Sequence, residues 1–184
     1  MAKPKLLMVL GSTRPGRLSP AVAAWLAQIV EDDGRFEGSI ADLAEFNLPL
    51  FNEPKHPMLA SYEHDYTKAW SAAVASSDAL VLITPEYNHG YPAVLKNALD
   101  YLHVEWKDKP AGFVSYGGVS GGTRAVGQLK AVVSALRMTA VVESVIIPMI
   151  GSLIVDGELP SDSGRDGSAV AMLAELQRKL PQAG

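Results

Sequence analysis

Short runs of aliphatic residues alternate along this 184-residue chain with longer stretches that repeat at helical spacing, and no other feature restricts its fold as much. The runs are KLLMVLG (5–11), FEGSIADL (36–43), ALVLIT (79–84), AGFVSYG (111–117) and TAVVESVII (139–147). The first and third are nearly continuous in Leu, Val and Ile, which predicts central parallel strands covered on both faces. The second is mixed and suits an edge. Between the runs, Val22, Trp25, Leu26, Ile29 and Val30 form one apolar helical stripe. Ser19 and Pro20 read as its N-cap and first-turn proline. Further helices are expected over 61–77, from Tyr91–Pro92 (apolar at Val94, Leu95, Ala98, Leu99 and Leu102), from Gly122–Thr123 (apolar at Val126, Leu129, Val133 and Leu136), and over 167–180.

Strand–helix alternation with short connections predicts an α/β fold with a doubly wound parallel sheet. Right-handed crossovers leave few topologies, and five strands suit the flavodoxin-like order 2-1-3-4-5, with helices on both faces as a three-layer fold. The length suits one domain, 1–184. A hydrophobic fraction of 48% against 20% charged residues argues against a disordered chain. With no cysteine there are no disulfides, thiolate metal sites or thiol nucleophiles, so no metal ligands are assigned. The 16 basic and 20 acidic residues leave a net charge of −4, with the basic ones scattered, which argues against a nucleic-acid partner. No apolar run reaches the ~20 residues that cross a bilayer. The opening LLMVL reads as a buried strand rather than a signal peptide. A cytoplasmic protein without membrane insertion is expected. Two irregular stretches remain: 44–60, long enough to be functional or interfacial, and 148–166, rich in Gly, Pro, Ser and Asp.

In folds of this kind ligands bind beyond the carboxyl ends of the strands. After the first strand comes GSTRPGRLSP (11–20), where hydroxyls, two arginines and a helix N-terminus read either as an anion site or as a plain turn with solvated arginines. It is neither a Walker loop nor a G-x-G-x-x-G fingerprint. After the third strand, Pro85, Gly90 and Pro92 stiffen a loop whose polar edge (Glu86, Tyr87, Asn88) suits a planar heteroaromatic ligand. His89 reads as a loop histidine, since no supporting acid or base stands at a useful spacing. After the fourth strand, Gly117, Gly118, Gly121 and Gly122 serve either turn geometry or close approach to a ligand. Together the loops describe a mononucleotide site.

The segments GSTRPGR (11–17), PEYNHGYPAVLKNALDYL (85–102) and SYGGVSGGTRA (115–125), supported by DLAEFNLPLFNEP (42–54), resemble the NADPH-dependent FMN reductase family. That flavodoxin-like group includes chromate, azo-dye and quinone reductases. The resemblance implies bound FMN, with NADPH or NADH as donor and a small-molecule acceptor: a quinone, azo compound, free flavin or metal oxyanion. It implies that Ser12, Thr13, Arg14, Arg17, Leu18, Ser19, Pro20 and Ala21 surround the phosphate. Pro85, Glu86, Tyr87 and Asn88 would face Ser115, Tyr116, Gly117 and Gly118 across the isoalloxazine. Many members read G-S-x-R-x-G-S-x-N in the first loop; this chain carries Arg17 and Ser19 at the last two of those positions. No catalytic side chain is assigned. The family pattern also implies a homodimer or dimer of dimers, with 44–60 and the PEYN region as the expected interface. A flavodoxin-type electron carrier is the competing reading.

Overall fold

Both parities of the central strands are apolar because both faces of the sheet are covered. In the computed structural model, which describes residues 2–181, β1 (Lys5–Leu10), β3 (Ala79–Pro85) and β4 (Pro110–Tyr116) lie side by side at the centre. β2 (Glu37–Asp42) forms one edge, and the order is β2-β1-β3-β4-β5, all parallel. Met8 and Val81 point to one face, where α1 (Ser19–Asp33) and α6 (Ser163–Arg178) cover them with Val22, Leu26, Met172 and Leu173. Leu7, Val9, Leu80, Leu82 and Phe113 point to the other. There they meet α2 (Leu43–Phe46), α3 (Asp65–Ala75), α4 (Ala93–Asp100) and α5 (Thr123–Ala135). Each fully buried aliphatic side chain contributes roughly 1.5–3 kcal/mol, so a continuous apolar strand is stable only as the middle of such a sandwich.

The fifth run differs from its expectation of one strand. It splits into β5 (Thr139–Ala140) and β6 (Val145–Ile147), both paired with β4. Ala111 faces Ala140 but Val114 faces Val145, so two extra residues have been inserted into the ladder. The Glu175 carboxylate on α6 accepts the N–H groups of Val142 and Glu143, each at 3.2 Å, and thereby satisfies the backbone that leaves the sheet.

Other boundaries also move. Leu18, not Ser19, is the N-cap of α1, and it offers no side-chain cap; Ser19 is the first helical residue. The stretch 44–60, expected to be irregular, begins inside α2, which the Asp42 carboxylate caps; beyond Phe46 it holds a single 3-10 turn at Pro57–Leu59. The expected helix over 61–77 is confined to Asp65–Ala75, and the last helix starts at Ser163, capped by Asp162. No helix among the described residues is long and apolar enough to cross a membrane.

Candidate functional site

Because β1, β3 and β4 are adjacent and parallel, the loops that follow them emerge together at one end of the sheet. The first loop is tied down at its root. The Gly11 N–H donates to the Ile83 carbonyl at 2.8 Å, and the buried Ser12 hydroxyl pairs with the Tyr87 hydroxyl at 2.7 Å. The Arg17 N–H donates to the Arg14 carbonyl, which closes a turn with Gly16 at φ 71° and leaves Arg14 exposed. Arg17 itself is fastened to Asp42 at the end of β2, with its Nη2 2.5 Å from the carboxylate.

Several polar groups beside this loop have no partner. Ser19 is fully buried and its Oγ makes no hydrogen bond; the same holds for the Tyr116 hydroxyl and Arg17 Nε. Burial pushes the Tyr116 phenol well above its ordinary range, and the nearby Ser19 hydroxyl offsets only part of that rise. Because the N-cap supplies no side-chain acceptor, the free N–H groups of the first helical turn (Ser19 and Ala21, since Pro20 has none) also remain to be satisfied. A buried polar group left unpaired costs about 1–3 kcal/mol. An anion with several acceptor oxygens at this helix end would relieve that cost.

The second loop is a tight hairpin turn. Tyr87 and Gly90 exchange backbone hydrogen bonds at 2.8 and 2.9 Å, with Asn88 and His89 both at positive φ (49° and 69°). That pattern is a type I′ turn. It is anchored to α5 twice: Gln128 donates to the His89 carbonyl, and Glu86 accepts from both the guanidinium (2.5 Å) and the backbone N–H (3.1 Å) of Arg124. Burial alone would raise the Glu86 pKa, but the bonds from Arg124 and Ser120 outweigh it and hold the carboxyl below its ordinary range. Glu86 therefore acts as a cap for α5 from another element. Pro85, the last residue of β3, lies in register with Tyr116.

The third loop is clasped from below. Gly117 and Gly118 accept hydrogen bonds from Ile150 and Met149. Gly121 and Gly122 are demanded by the fold: at Gly122 (φ 85°) a Cβ would stand 2.8 Å from the Ser115 Cβ and 3.0 Å from Tyr116 backbone. Gly118 is different. No atom lies within 4 Å of where its Cβ would be.

The structure thus brings Ser12, Arg17, Leu18, Ser19, Tyr87 and Tyr116 to one place, with Pro85, Glu86, Asn88, Gly117 and Gly118 along the adjoining rim. Arg14 is exposed at the turn, Pro20 and Ala21 line a cleft with Ala24, Trp25 and Gln28, and two further expected residues stand apart. Thr13 lines a cleft of about 340 Å³ formed with Leu43, Ala44, Asn47 and Asn97. Ser115 shares the Phe113 side of the sheet, away from Tyr116, and its Oγ is buried without a partner. Asp42, Arg124 and Gln128 went unassigned in the sequence. Asp42 and Arg124 sit inside the motifs quoted above, but nothing local announces their partners 25 and 38 residues away.

Comparison with known proteins bears on the same segments. The family model described as NADPH-dependent FMN reductase matches residues 4–151. An NAD(P)H-dependent FMN reductase of Schizosaccharomyces pombe is 43% identical over 137 residues, covering 73% of this chain and 68% of its own. An NADPH azoreductase of a Bacillus species is 31% identical over 161 residues, covering 86% and 84%. Among solved structures, the flavoenzyme FerB of Paracoccus denitrificans, an NAD(P)H:acceptor oxidoreductase, superposes with a TM-score of 0.78 at 22% identity, covering 97% of this chain and all of its own.

Proposed function

The chain belongs to the NADPH-dependent FMN reductase family and is an NAD(P)H-dependent flavin oxidoreductase; from that premise we propose where its FMN is held and what the site does. The phosphate lies at the N-terminus of α1, within reach of Ser12, Arg14, Ser19 and the N–H groups of the first turn. The ring lies between the 85–90 turn and the 117–122 loop. The observation that carries this reading is the set of buried, unpartnered donors at one helix end: Ser19 Oγ, Tyr116 OH and Arg17 Nε. A phosphate supplies the missing acceptors, and charge-assisted bonds of this type are the strong ones. The open space over Gly118 supports placing a flat group against that backbone.

When bound, FMN supplies the two-electron chemistry, between a nicotinamide donor and a second acceptor. The chain's own residues bind and orient. Glu86 stays ionised against Arg124, and burial keeps the Tyr116 phenol protonated, so neither is poised to shuttle protons near neutrality. Glu86 and Gln128 instead hold the 85–90 turn against α5, which fixes the spacing between the two loops. The acceptor is a small quinone, azo compound, free flavin or metal oxyanion. The whole chain works as one domain, as a homodimer or dimer of dimers in the cytoplasm.

The carrier reading is the weaker one. Its protein-docking role calls for a strongly acidic face, whereas the net charge is only −4. Anaerobic mixing of the FMN-loaded protein with NADPH or NADH separates the two: rapid loss of the flavin absorbance band is expected. A flavin that stays oxidised, or a protein that fails to take up FMN, overturns the reading.

A further inference from the structure

On the face of the sheet away from α1, helix α5 and strand β6 leave a pocket of about 210 Å³. Ser115 forms its floor, Thr123, Val126, Gly127 and Lys130 of α5 form one wall, and Ser144 and Ile146 form the other. We propose that this pocket is a second binding site, for a small carboxylate carried on an apolar body the size of one ring.

The polar groups of the pocket start at its floor. Ser115 is 1% exposed and its hydroxyl has no hydrogen-bond partner. Buried hydroxyls are almost always paired, so an unpaired one lining a pocket is open to an oxygen of a ligand. Lys130 supplies charge. Its ammonium lies 5.9 Å from the centroid of the Phe113 ring, and Phe113 is fully buried, two residues before Ser115 on the same side of the strand. Lys130 is an exposed residue of the pocket wall, and its ammonium reaches to within cation–π range of that ring. None of the ion pairs among the described residues involves Lys130. Thr123, the first residue of α5, adds an exposed hydroxyl to the rim, while the end of the helix itself is already capped by Glu86. No carboxylate lines the pocket; Glu143, next to Ser144, stands outside it.

The apolar half sets the size. Val126 and Ile146 face each other across the pocket, and no atom lies within 4 Å of where a Gly127 Cβ would stand. An apolar cavity of roughly 150 Å³ takes up benzene. The space here holds one ring plus a carboxylate, but not a nucleotide. The carboxylate would meet Lys130 and Ser115, and the ring would lie against Val126 and Ile146. The pocket is separate from the flavin site, because the Ser115 hydroxyl lies on the opposite side of β4 from Tyr116.

The test is a calorimetric titration of benzoate into the full-length, FMN-loaded protein, with benzylamine as a matched cation. Saturable benzoate binding and none of benzylamine is expected. Gly127→Leu fills the pocket, and leucine is a better helix former than glycine; Lys130→Met keeps the stem and removes the charge. Each should weaken benzoate by at least about tenfold while circular dichroism and FMN content match the wild type. Absence of saturable binding overturns the proposal. So does binding unchanged in both variants, or benzoate displaced by NADPH, which would put it at the flavin site instead. A protein that binds benzoate but no FMN would uphold this site while sinking the cofactor reading.

Discussion

Gly118 and Gly122 stand in one loop, and the missing side chain serves a different end at each. At Gly122 the backbone is left-handed, and a methyl group would strike Ser115 and Tyr116; at Gly118 there is only open space. Gly122→Ala should therefore lower folding stability by at least ~1–2 kcal/mol, from the left-handed backbone alone. Gly118→Ala should leave stability within about 0.5 kcal/mol, as for an ordinary surface change, yet weaken FMN, since its methyl group would occupy the face proposed for the ring. Chemical denaturation and FMN titration of both variants check this. Equal loss of stability in the two would remove the distinction. The sequence shows four glycines in the pattern GGVSGG and cannot separate these roles, because φ depends on what the following helix packs against. Ser19 teaches the same lesson in reverse. Its chemistry was legible as a cap, but a one-residue shift of the helix start turned its hydroxyl inward and left it without a partner.

Elements were most legible where a strand is buried on both sides, as in β1 and β3, because only an uninterrupted aliphatic run fits there. They were least legible where a distant residue intervenes. The run 139–147 is aliphatic enough for one strand, and its break depends on Glu175, more than 30 residues later. The β3–α4 turn depends likewise on α5. Its anchor, Glu86, has a depressed pKa, so its stabilising effect is present above the ordinary glutamate range and is lost as pH falls through and below that range. Glu86→Gln keeps an acceptor for the Arg124 N–H but removes the charge. The gap in thermal stability between wild type and this variant should be open at neutral pH and close in acid. A gap that stays constant across the titration would take the ion pair out of the account.

For the molecule as a whole, the described surface carries unusual apolar exposure on the 44–60 segment: Leu50 is 84% exposed, Leu59 67% and Met58 56%. Phe51 on the same segment adds to it. Clustered exposure of this kind marks an association surface, and the proposed homodimer buries it. Sedimentation at micromolar concentration should show a dimer or larger species, and Leu59→Glu should shift it toward monomer. A monomeric wild type would refute the interface. That surface was readable only as a loop too long to be idle; what the sequence does not reveal is that its apolar residues face outward.

The interrupted fifth strand has a consequence for how this molecule behaves in a crowd. A parallel sheet left open at the side is a template onto which a stray extended chain can crystallise, strand upon strand. On the β4 side that template exists only as a two-residue and a three-residue fragment, with the register slipped between them. No incoming chain can zip along both fragments without a compensating bulge of its own. The opposite edge, β2, runs unbroken for six residues, with Glu37 and Asp42 at its two ends. If these molecules polymerise when stressed, growth should begin at β2.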